Sequence, residues 1–517
     1  MGDGGIDHLA NRERGARPAP VFVANKQSVT MASDWMVLYF CGRRYQSQGG
    51  DRMNARSTFP QTAAWLVAAL CASTGCERDT SGLQPAPLST DPVVFTDQFS
   101  DGVDYQAFLN TKLDAISVVT DEKYSGTASL KVVVPGPNDP SGWFAGGALT
   151  SRDYRDLSSY NAVTFYAKAS KDGATINVAG LGNDNTGTSK FEASWADIAI
   201  TTAWQRYVIP IPLPEKLSSE RGLFFFAEGY EDDNVGYEFW LDDIVFANVG
   251  SVTNPRPAIE TKAVGAFAGA TVTPGATRTT FSVGGTDEII DHMPGYFSFL
   301  SSNDSVVVVT GGTIKVVGAG DATVTARLGN LDATGAITVK GSAAPVTPAP
   351  APTLPSSDVI SLFSNVYPDV AVDTWWAEWS RNFSNFTEFK IAGDDVKAYT
   401  DLIFTGIEFT SQTIDATAMT HFHIDVWVPE NAILFKVKLV DFGEDGAYLG
   451  APDSERELTF WSGSTPPLLT GTWVGLDIPL ADFMGGPTGL VERAHLAQLI
   501  LSGNGNTAFV DNVYFHK

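Results

Sequence analysis

Two pairs of strand-like motifs recur in this chain at one fixed offset. Trp240-Leu241-Asp242-Asp243-Ile244-Val245-Phe246 returns as Phe509-Val510-Asp511-Asn512-Val513-Tyr514-Phe515. Trp204-Gln205-Arg206-Tyr207-Val208-Ile209-Pro210 returns as Trp473-Val474-Gly475-Leu476-Asp477-Ile478-Pro479, and both pairs lie 269 residues apart. One offset shared by two separated motifs means that one kind of domain occurs twice. The match extends to Asn161-Ala162-Val163-Thr164-Phe165-Tyr166-Ala167-Lys168 against Thr420-His421-Phe422-His423-Ile424-Asp425-Val426-Trp427, and to Trp143-Phe144-Ala145-Gly146-Gly147 against Ile403-Phe404-Thr405-Gly406-Ile407. These stretches alternate apolar and polar residues, as strands with one face on a core do. Many such strands without a helical period make the expected fold all-β, with each copy a two-sheet jelly-roll sandwich.

Charge narrows the partners. The net charge of −25 and pI near 4.5 argue against nucleic acid and against an anionic membrane surface, both of which need a basic patch. The three cysteines, Cys41, Cys71 and Cys76, all stand near the start. The body of the chain is therefore expected to hold neither a disulfide nor a cysteine metal site.

Residues 1–52 show no periodicity and lead into Met53. From there Arg56, the apolar run Ala63–Leu70 and Ser73-Thr74-Gly75-Cys76 have the anatomy of an export signal. The run is too short for a bilayer, which needs about 20 residues. The expected start is Met53; the alternative is a translated, disordered extension over 1–52. The residues before Cys76 resemble a bacterial lipoprotein processing site, departing from it at Ser73, where leucine is usual. That resemblance implies a lipidated Cys76 and an outer-membrane or cell-surface lipoprotein, with any membrane association through the lipid alone. Ordinary signal-peptidase cleavage and secretion is the other reading.

The expected organisation is a signal segment at 53–76, a polar spacer at 77–90, a first repeat at 91–250, a different unit at 251–341, a linker at 342–357 and a last repeat at 358–517. The linker, Ser342-Ala343-Ala344-Pro345 onward to Pro355, favours extended polyproline II, which makes a semi-rigid spacer. A monomer is expected.

Three resemblances attach to particular residues. Phe95-Thr96-Asp97-Gln98-Phe99, Lys123-Tyr124-Ser125-Gly126-Thr127-Ala128-Ser129-Leu130-Lys131-Val132 and Phe239-Trp240-Leu241-Asp242-Asp243-Ile244 make the first repeat similar to galactose-binding-like jelly-roll carbohydrate-binding modules. Asp373-Thr374-Trp375, Trp379, the run Ile414–His423, Lys436–Gly443 and Asp477–Phe483 make the last repeat resemble accessory modules of exported family 16 glycoside hydrolases. Ser301-Ser302-Asn303-Asp304-Ser305-Val306 and Gly318–Ala326 make the middle unit resemble bacterial Ig-like domains of the type 2 group, which implies a spacer. Together these imply two jelly-roll β-sandwiches separated by an Ig-like β-sandwich. They also imply a polysaccharide partner of β-glucan or galactan type.

Sugar recognition needs flat aromatics for C–H faces and polar groups for hydroxyls. Candidates in the first repeat are Trp143, Tyr154, Trp195 and Tyr230, with Asp153, Asn183, Asp184 and Glu228. In the last repeat they are Trp375, Trp376, Trp379, Tyr448 and Trp461, with Asp445 and Asp453. Core packing is the alternative for each, and it is the expectation for Trp204 and Trp473. Trp375-Trp376-Ala377-Glu378-Trp379 is the densest cluster and the leading candidate. The module resemblance implies a structural Ca²⁺ shared by closing-strand and opening-strand aspartates, Asp242 with Asp97 and Asp511 with Asp358. Satisfaction of these carboxylates by backbone N–H groups is the other reading.

Glycosidase chemistry needs two carboxylates across a cleft. The nearest lookalike, Glu288-Ile289-Ile290-Asp291, is spaced to place them on opposite strand faces. His421 and His423 share a strand face and could share a metal, but solvent-side polarity explains them as well. Glu455 and Glu457 read as surface charge. The leading expectation is non-catalytic polysaccharide binding; the alternatives are an adhesive or structural surface protein and an unrecognised hydrolase.

Overall fold

The computed structural model describes residues 87–231, 235–429, 434–448, 453–485 and 489–517. Met53 and Cys76 lie outside them. In the first repeat the strands are β1 (Val93–Phe95), β2 (Val103–Ala107), β3 (Ile116–Val119), β4 (Ser129–Val134), β5 (Ala145–Arg155), β6 (Ala162–Ala169), β7 (Thr175–Leu181), β8 (Ala193–Ala199), β9 (Gln205–Pro210), β10 (Glu220–Glu228) and β11 (Tyr237–Ala247). They form two sheets, β3-β4-β11-β6-β9 with β1 beside β11, and β2-β5-β10-β7-β8. Strand β6 shows why the layers close. Val163, Phe165 and Ala167 turn into the core while Tyr166 and Lys168 turn out, the period-2 rule at work.

The middle segment adds β12 (Val252–Ile259), β13 (Lys262–Phe267), β14 (Thr271–Val272), β15 (Thr277–Val283), β16 (Thr286–His292), β17 (Ser298–Ser301), β18 (Val307–Thr310), β19 (Thr313–Val316), β20 (Gly320–Leu328), β21 (Leu331–Asp332) and β22 (Ile337–Ser342). Strand β16 pairs with β8 at Asp291–Ser194 and His292–Ala193. The second sheet of the first repeat thereby continues into the middle segment as β8-β16-β15-β12. Tyr296, fully buried, donates its hydroxyl to Phe191 O at 2.7 Å across the same seam. Glu288 and Asp291 do point to opposite faces of β16, the first with Ile290 and the second with Ile289.

The last repeat has β23 (Val359–Phe363), β24 (Asn385–Ile391), β25 (Asp394–Glu408), β26 (His421–Trp427), β27 (Phe435–Asp441), β28 (Ser454–Phe460), β29 (Trp473–Pro479) and β30 (Leu496–His516). Its two long strands each serve both layers. The first half of β25 and the second half of β30 join β26 and β29, while the other halves join β27 and β28. The bend in β25 falls at Asp401, at φ +52°, where the register slips; a bulge there re-aims the strand. The order β29-β26-β30-β25-β24 repeats β9-β6-β11-β4-β3, so the sequence repeat is a repeat of topology.

The middle and last parts meet over Phe267, Phe509, Trp427, Phe389 and Ile391. Burying each large side chain there contributes roughly 1.5–3 kcal/mol. Gly265 N–H donates to Asp401 Oδ2 at 2.8 Å beside that cluster. The Pro/Ala-rich stretch, expected as a semi-rigid spacer, lies along the last repeat. Thr347 O accepts from Trp473 Nε1 at 2.8 Å, and Pro350 O accepts from Asn512 Nδ2 at 3.2 Å. Ala86–Lys517 consequently form one compact unit. No helix among the described residues is long and apolar enough to cross a membrane.

Candidate functional site

Paired residues of neighbouring strands share a sheet face, so the register shows what the last repeat presents to solvent. On one layer the inward residues are Ile407, Leu499, Leu501, Val437 and Leu439. The outward rows are Phe404, Ser502, Lys436 and Thr459; Gly406, Ile500, Lys438 and Glu457; and Glu408, Gln498, Val440 and Glu455, of which Gln498 and Val440 are covered. Lys436 pairs with Glu457 at 2.7 Å and Lys438 with Glu455 at 2.8 Å. The surface charge expected of Glu455 and Glu457 is thus part of an ordered polar floor.

Aromatic rings border this floor along β25. Residues 377–383 dock on the strand through Ala377 N–H to Gly406 O and Ile403 N–H to Phe383 O, both 2.9 Å. The Trp379 indole settles against Gly406, in the space a β-carbon would need. Its Nε1 donates to Glu408 Oε1 at 2.9 Å, and Gln498 Nε2 donates to the same oxygen at 3.1 Å. Trp379 and Phe404 are near parallel, 6.0 Å between centroids and 25° between planes; Phe404 and Phe383 follow at 4.3 Å and 25°. Trp379 is 45% exposed and Phe383 42%. Beside Phe383 opens a cleft of ≈ 450 Å³ edged by Arg381, Asn382, Asn385 and Asp401. A row of rings next to hydrogen-bonding side chains is the equipment a sugar chain needs.

The tryptophan cluster divides. Trp375 leaves the site: it packs on the core, 5.6 Å from Phe363, with the Lys397 ammonium 4.4 Å from its ring centre. Trp376 is half-buried, its Nε1 bonded to Ser384 Oγ at 3.2 Å and Arg381 lying 5.3 Å over the ring. Only Trp379 reaches the platform, and it is completed by Phe383 and Phe404, which sequence reading missed. Phe404 was visible there as the partner of Phe144 in the repeat. Trp461, 45% exposed, follows β28 at the opposite border, three interstrand steps or roughly 14 Å from β25. Tyr448 is exposed and stands 5.7 Å from Phe442. Asp445 caps its own turn through Ala447 N–H. Asp453 is half-buried at the start of β28.

In the first repeat the equivalent face is paved with small residues around Phe225, namely Ala148, Gly180 and Ala227. The Phe144 ring edge comes down on Gly146, the glycine that matches Gly406. Trp143 is 77% exposed at the strand's head, with Leu109 and Leu113 of the neighbouring loop also standing free. That loop is pinned by Thr111 Oγ1, which donates to Phe144 O at 3.0 Å and accepts from Gly146 N–H at 2.8 Å. Gly142 permits the approach, since a β-carbon there would overlap the Lys112 backbone. Tyr230 is exposed beyond the same end of the β5–β10 pair, where Ala145 faces Glu228. Tyr154 and Asp153 lie toward the far end of β5, with Arg221 5.7 Å over the Tyr154 ring. Eleven residues of strand separate Trp143 from Tyr154, roughly 36 Å, so they do not form one subsite.

Other candidates move inward. Trp195 packs against the core, 6.4 Å from Tyr207. Glu228 is buried, accepts Asn177 N–H, and has its carboxyl pushed up to about 8 by burial. Asn183 and Asp184 accept bonds from their own loop, from Asn185 N–H and from the Thr186 and Ser189 hydroxyls. Trp204 moves the other way. Expected in the core, it lies on the outer face of the other sheet, where its Nε1 donates to Glu122 Oε1 at 2.9 Å and Tyr124 stacks on Tyr166 at 3.5 Å. Trp473 is half-buried at the edge of the Phe267 cluster.

The recurring aspartates serve a bulge. Asp243 and Asn512 both have positive φ, +46° and +45°, a conformation Asp and Asn tolerate best among side-chain-bearing residues. The carboxylate one residue earlier accepts that residue's N–H, Asp242 at 2.8 Å and Asp511 at 2.7 Å. Asp242 Oδ2 also accepts Tyr124 N–H and Ser125 N–H, while Asp97 Oδ1 accepts Thr127 N–H and Ala128 N–H. Backbone donors thus meet both oxygens of Asp242 and one oxygen of Asp97, as the backbone-satisfaction reading expects. Asp358 does not join Asp511: it binds Lys517 Nζ at 2.9 Å, and the register places Asn365 where Asp97 stands. Asp511 differs from Asp242. Its Oδ2 is buried without a hydrogen-bond partner, and burial with Asp394, Asp425 and Asp395 nearby pushes its carboxyl up to about 7. These neighbours are all oxygen donors, the kind a hard cation such as Ca²⁺ prefers.

His421 and His423 do share an outward face. His423 Nδ1 lies 3.3 Å and His516 Nε2 2.7 Å from Asp477 Oδ1, and His421 stacks on His516 at 5.1 Å. His423 and His516 thus share the Asp477 carboxylate, while His421 Nδ1 lies 2.8 Å from Thr420 Oγ1.

Residues 91–248 match the family model described as carbohydrate binding domain 30. The first repeat is thus similar to a carbohydrate-binding module. No curated protein matches the chain. Among solved structures, the family 30 carbohydrate-binding module of a cellulosomal cellulase of Clostridium thermocellum is 21% identical over 31% of this chain and 94% of its own, with a TM-score of 0.22. The N-terminal CBM22-1–CBM22-2 tandem domain of Paenibacillus barcinonensis Xyn10C is 12% identical over 84% of this chain and 99% of its own, with a TM-score of 0.20. A beta-1,2-glucanase from Parabacteroides distasonis is 14% identical over 49% of this chain but only 39% of its own, with a TM-score of 0.23.

Proposed function

We propose that this chain binds a β-linked polysaccharide without cleaving it, through the sheet faces of its two repeats. The observation that carries this reading is the row Trp379, Phe404 and Phe383 beside the polar floor of the last repeat. The rings would cover the apolar faces of successive sugars, and Gln498, Glu408 and the Arg381–Asn385 border would meet their hydroxyls. The family match over 91–248 supports the same role for the first repeat. In this reading the last repeat acts like an accessory module of a family 16 hydrolase, and the middle segment is an Ig-like spacer. The chain is exported as a monomer, by lipidation at Cys76 or by secretion. A structural Ca²⁺ belongs at Asp511.

Each face alone should bind weakly, because a stacked sugar returns little after ordering costs. Two faces held on one frame gain by effective concentration on a long polymer. Affinity electrophoresis of the full chain in gels containing β-glucan, galactan or xylan tests this. Retardation by at least one polymer, relieved by Trp379→Ala, is expected; free migration in all of them overturns it. A second reading, adhesion to another protein, draws on the exposed tips Leu109 and Leu113.

A further inference from the structure

One cluster of metal-type ligands lies away from both sheet faces and from the closing-strand aspartates. Asp441 ends β27, and Glu492 and His495 stand just before β30 begins. One ligand atom from each lies within 4.8 Å of the others. The approach is built into the backbone: His495 N–H donates to Asp441 Oδ2 at 2.9 Å, and Phe442 N–H donates to His495 O at 3.1 Å. Asp441 is fully buried and its Oδ1 accepts Gly443 N–H at 2.9 Å.

Two further atoms point to a ligand. Glu492 Oε1 and His495 Nδ1 are both shielded from solvent, and neither makes a hydrogen bond among the described residues. They stand 3.5 Å apart. Two ligands of a tetrahedral ion at about 2.0–2.1 Å are separated by little less than that. An imidazolium–carboxylate pair would answer Glu492 and His495 alone, and would leave the buried Asp441 carboxylate facing a second one. A divalent cation answers all three at once.

We propose that Asp441, Glu492 and His495 bind a divalent d-block cation of the Zn²⁺ type. The imidazole nitrogen favours zinc, cobalt or nickel over calcium and magnesium, which prefer all-oxygen sets. Three protein ligands leave one coordination position open. The ion ties the segment before β30 to the end of β27. The adjoining Phe442 packs against Tyr448, so occupancy also steadies that border of the sheet face. The proposal is independent of the sugar-binding reading.

The test uses the full chain stripped with chelator and then titrated with ZnCl₂ by calorimetry, with Co²⁺ absorption to report the ligand field. One saturable site is expected, with a rise in thermal midpoint and the visible bands of tetrahedral cobalt. His495→Ala and, separately, Glu492→Gln should each weaken it by at least about tenfold. The double variant His421→Ala/His423→Ala, on the other layer, should bind as the parent does. The proposal is overturned if the folded parent shows no saturable binding. It is equally overturned if Glu492→Gln and His495→Ala bind as tightly as the parent, or if only the His421/His423 variant loses the ion.

Discussion

The benzo ring of Trp379 occupies the space where a β-carbon of Gly406 would stand. Phe144 bears on Gly146 in a similar way in the first repeat, and the two glycines coincide in the sequence repeat. A glycine in the interior of a strand gives up packing and conformational entropy. Here the missing side chain lets an aromatic ring come down onto the outer face of a sheet. The repeat has kept a docking place for a ring while changing which ring uses it.

Gly406→Ala is therefore expected to act on binding through Trp379. The new methyl displaces the indole and its bond to Glu408, and polysaccharide affinity should fall about tenfold, the equivalent of about 1.4 kcal/mol. Trp379→Ala should fall by a similar factor, and the double variant no further. Additive losses in gel retardation would show that the two residues do not act as one unit.

Trp143→Ala should weaken the first repeat alone. On short oligosaccharides the effect on the full chain is small, because the last repeat still binds. On a long polymer both repeats contribute, so Trp143→Ala should cost more affinity there than on short oligosaccharides. Equal losses on short and long ligands would exclude joint engagement of one chain.

Phe267→Ala opens the seam between the middle and last parts. Removing a buried phenylalanine costs about 3–5 kcal/mol, and Phe267 touches both Phe389 and Phe509. Calorimetry should show the last repeat unfolding as a separate, earlier transition. A single transition at the parent's temperature would mean that the seam does not couple the two parts.

Stability should fall as the pH rises from about 5 to 8, in part through Glu228. Its carboxyl, held at about 8 in the fold against an ordinary 4.5, takes up a proton on folding throughout that window. The contribution is complete below the unfolded value and disappears as the pH rises through the folded one. Glu228→Gln keeps an acceptor for Asn177 N–H without the proton. Relative to the parent it should gain stability steadily as the pH rises from 5 to 8. A difference between the two proteins that does not change with pH would refute the burial of an ionisable group there.

Much of the architecture was legible. The period-2 runs around Phe165 and Phe422 located strands, and the matched pairs located a duplicated topology. Trp204 was misread because a tryptophan in an apolar strand looks the same whether the register turns it in or out; Glu122 and Tyr124, which hold it outside, are far off in sequence. Trp375 and Trp379 are four residues apart, yet Trp375 packs on the core while Trp379, carried in the 3₁₀ turn Glu378–Ser380, reaches the platform. Phe383 carried no signal of its own, since its role depends on lying 4.3 Å from Phe404.

The closing-strand aspartates mark the boundary between the two kinds of information. Sequence alone determined that Asp242 and Asp511 hold one structural place, because recurrence at a fixed offset reports a shared backbone conformation. Folding decided what that place is: a bulge whose left-handed residue gives its N–H to the carboxylate before it. It also decided the difference between the copies. The chain turn at Tyr124–Ala128 brings peptide donors to Asp242, whereas around Asp511 the approaching groups are the carboxylates Asp394, Asp395 and Asp425. Local sequence sets the conformation of a strand, but the groups that arrive over it come from elsewhere in the chain, and only the tertiary structure chooses them.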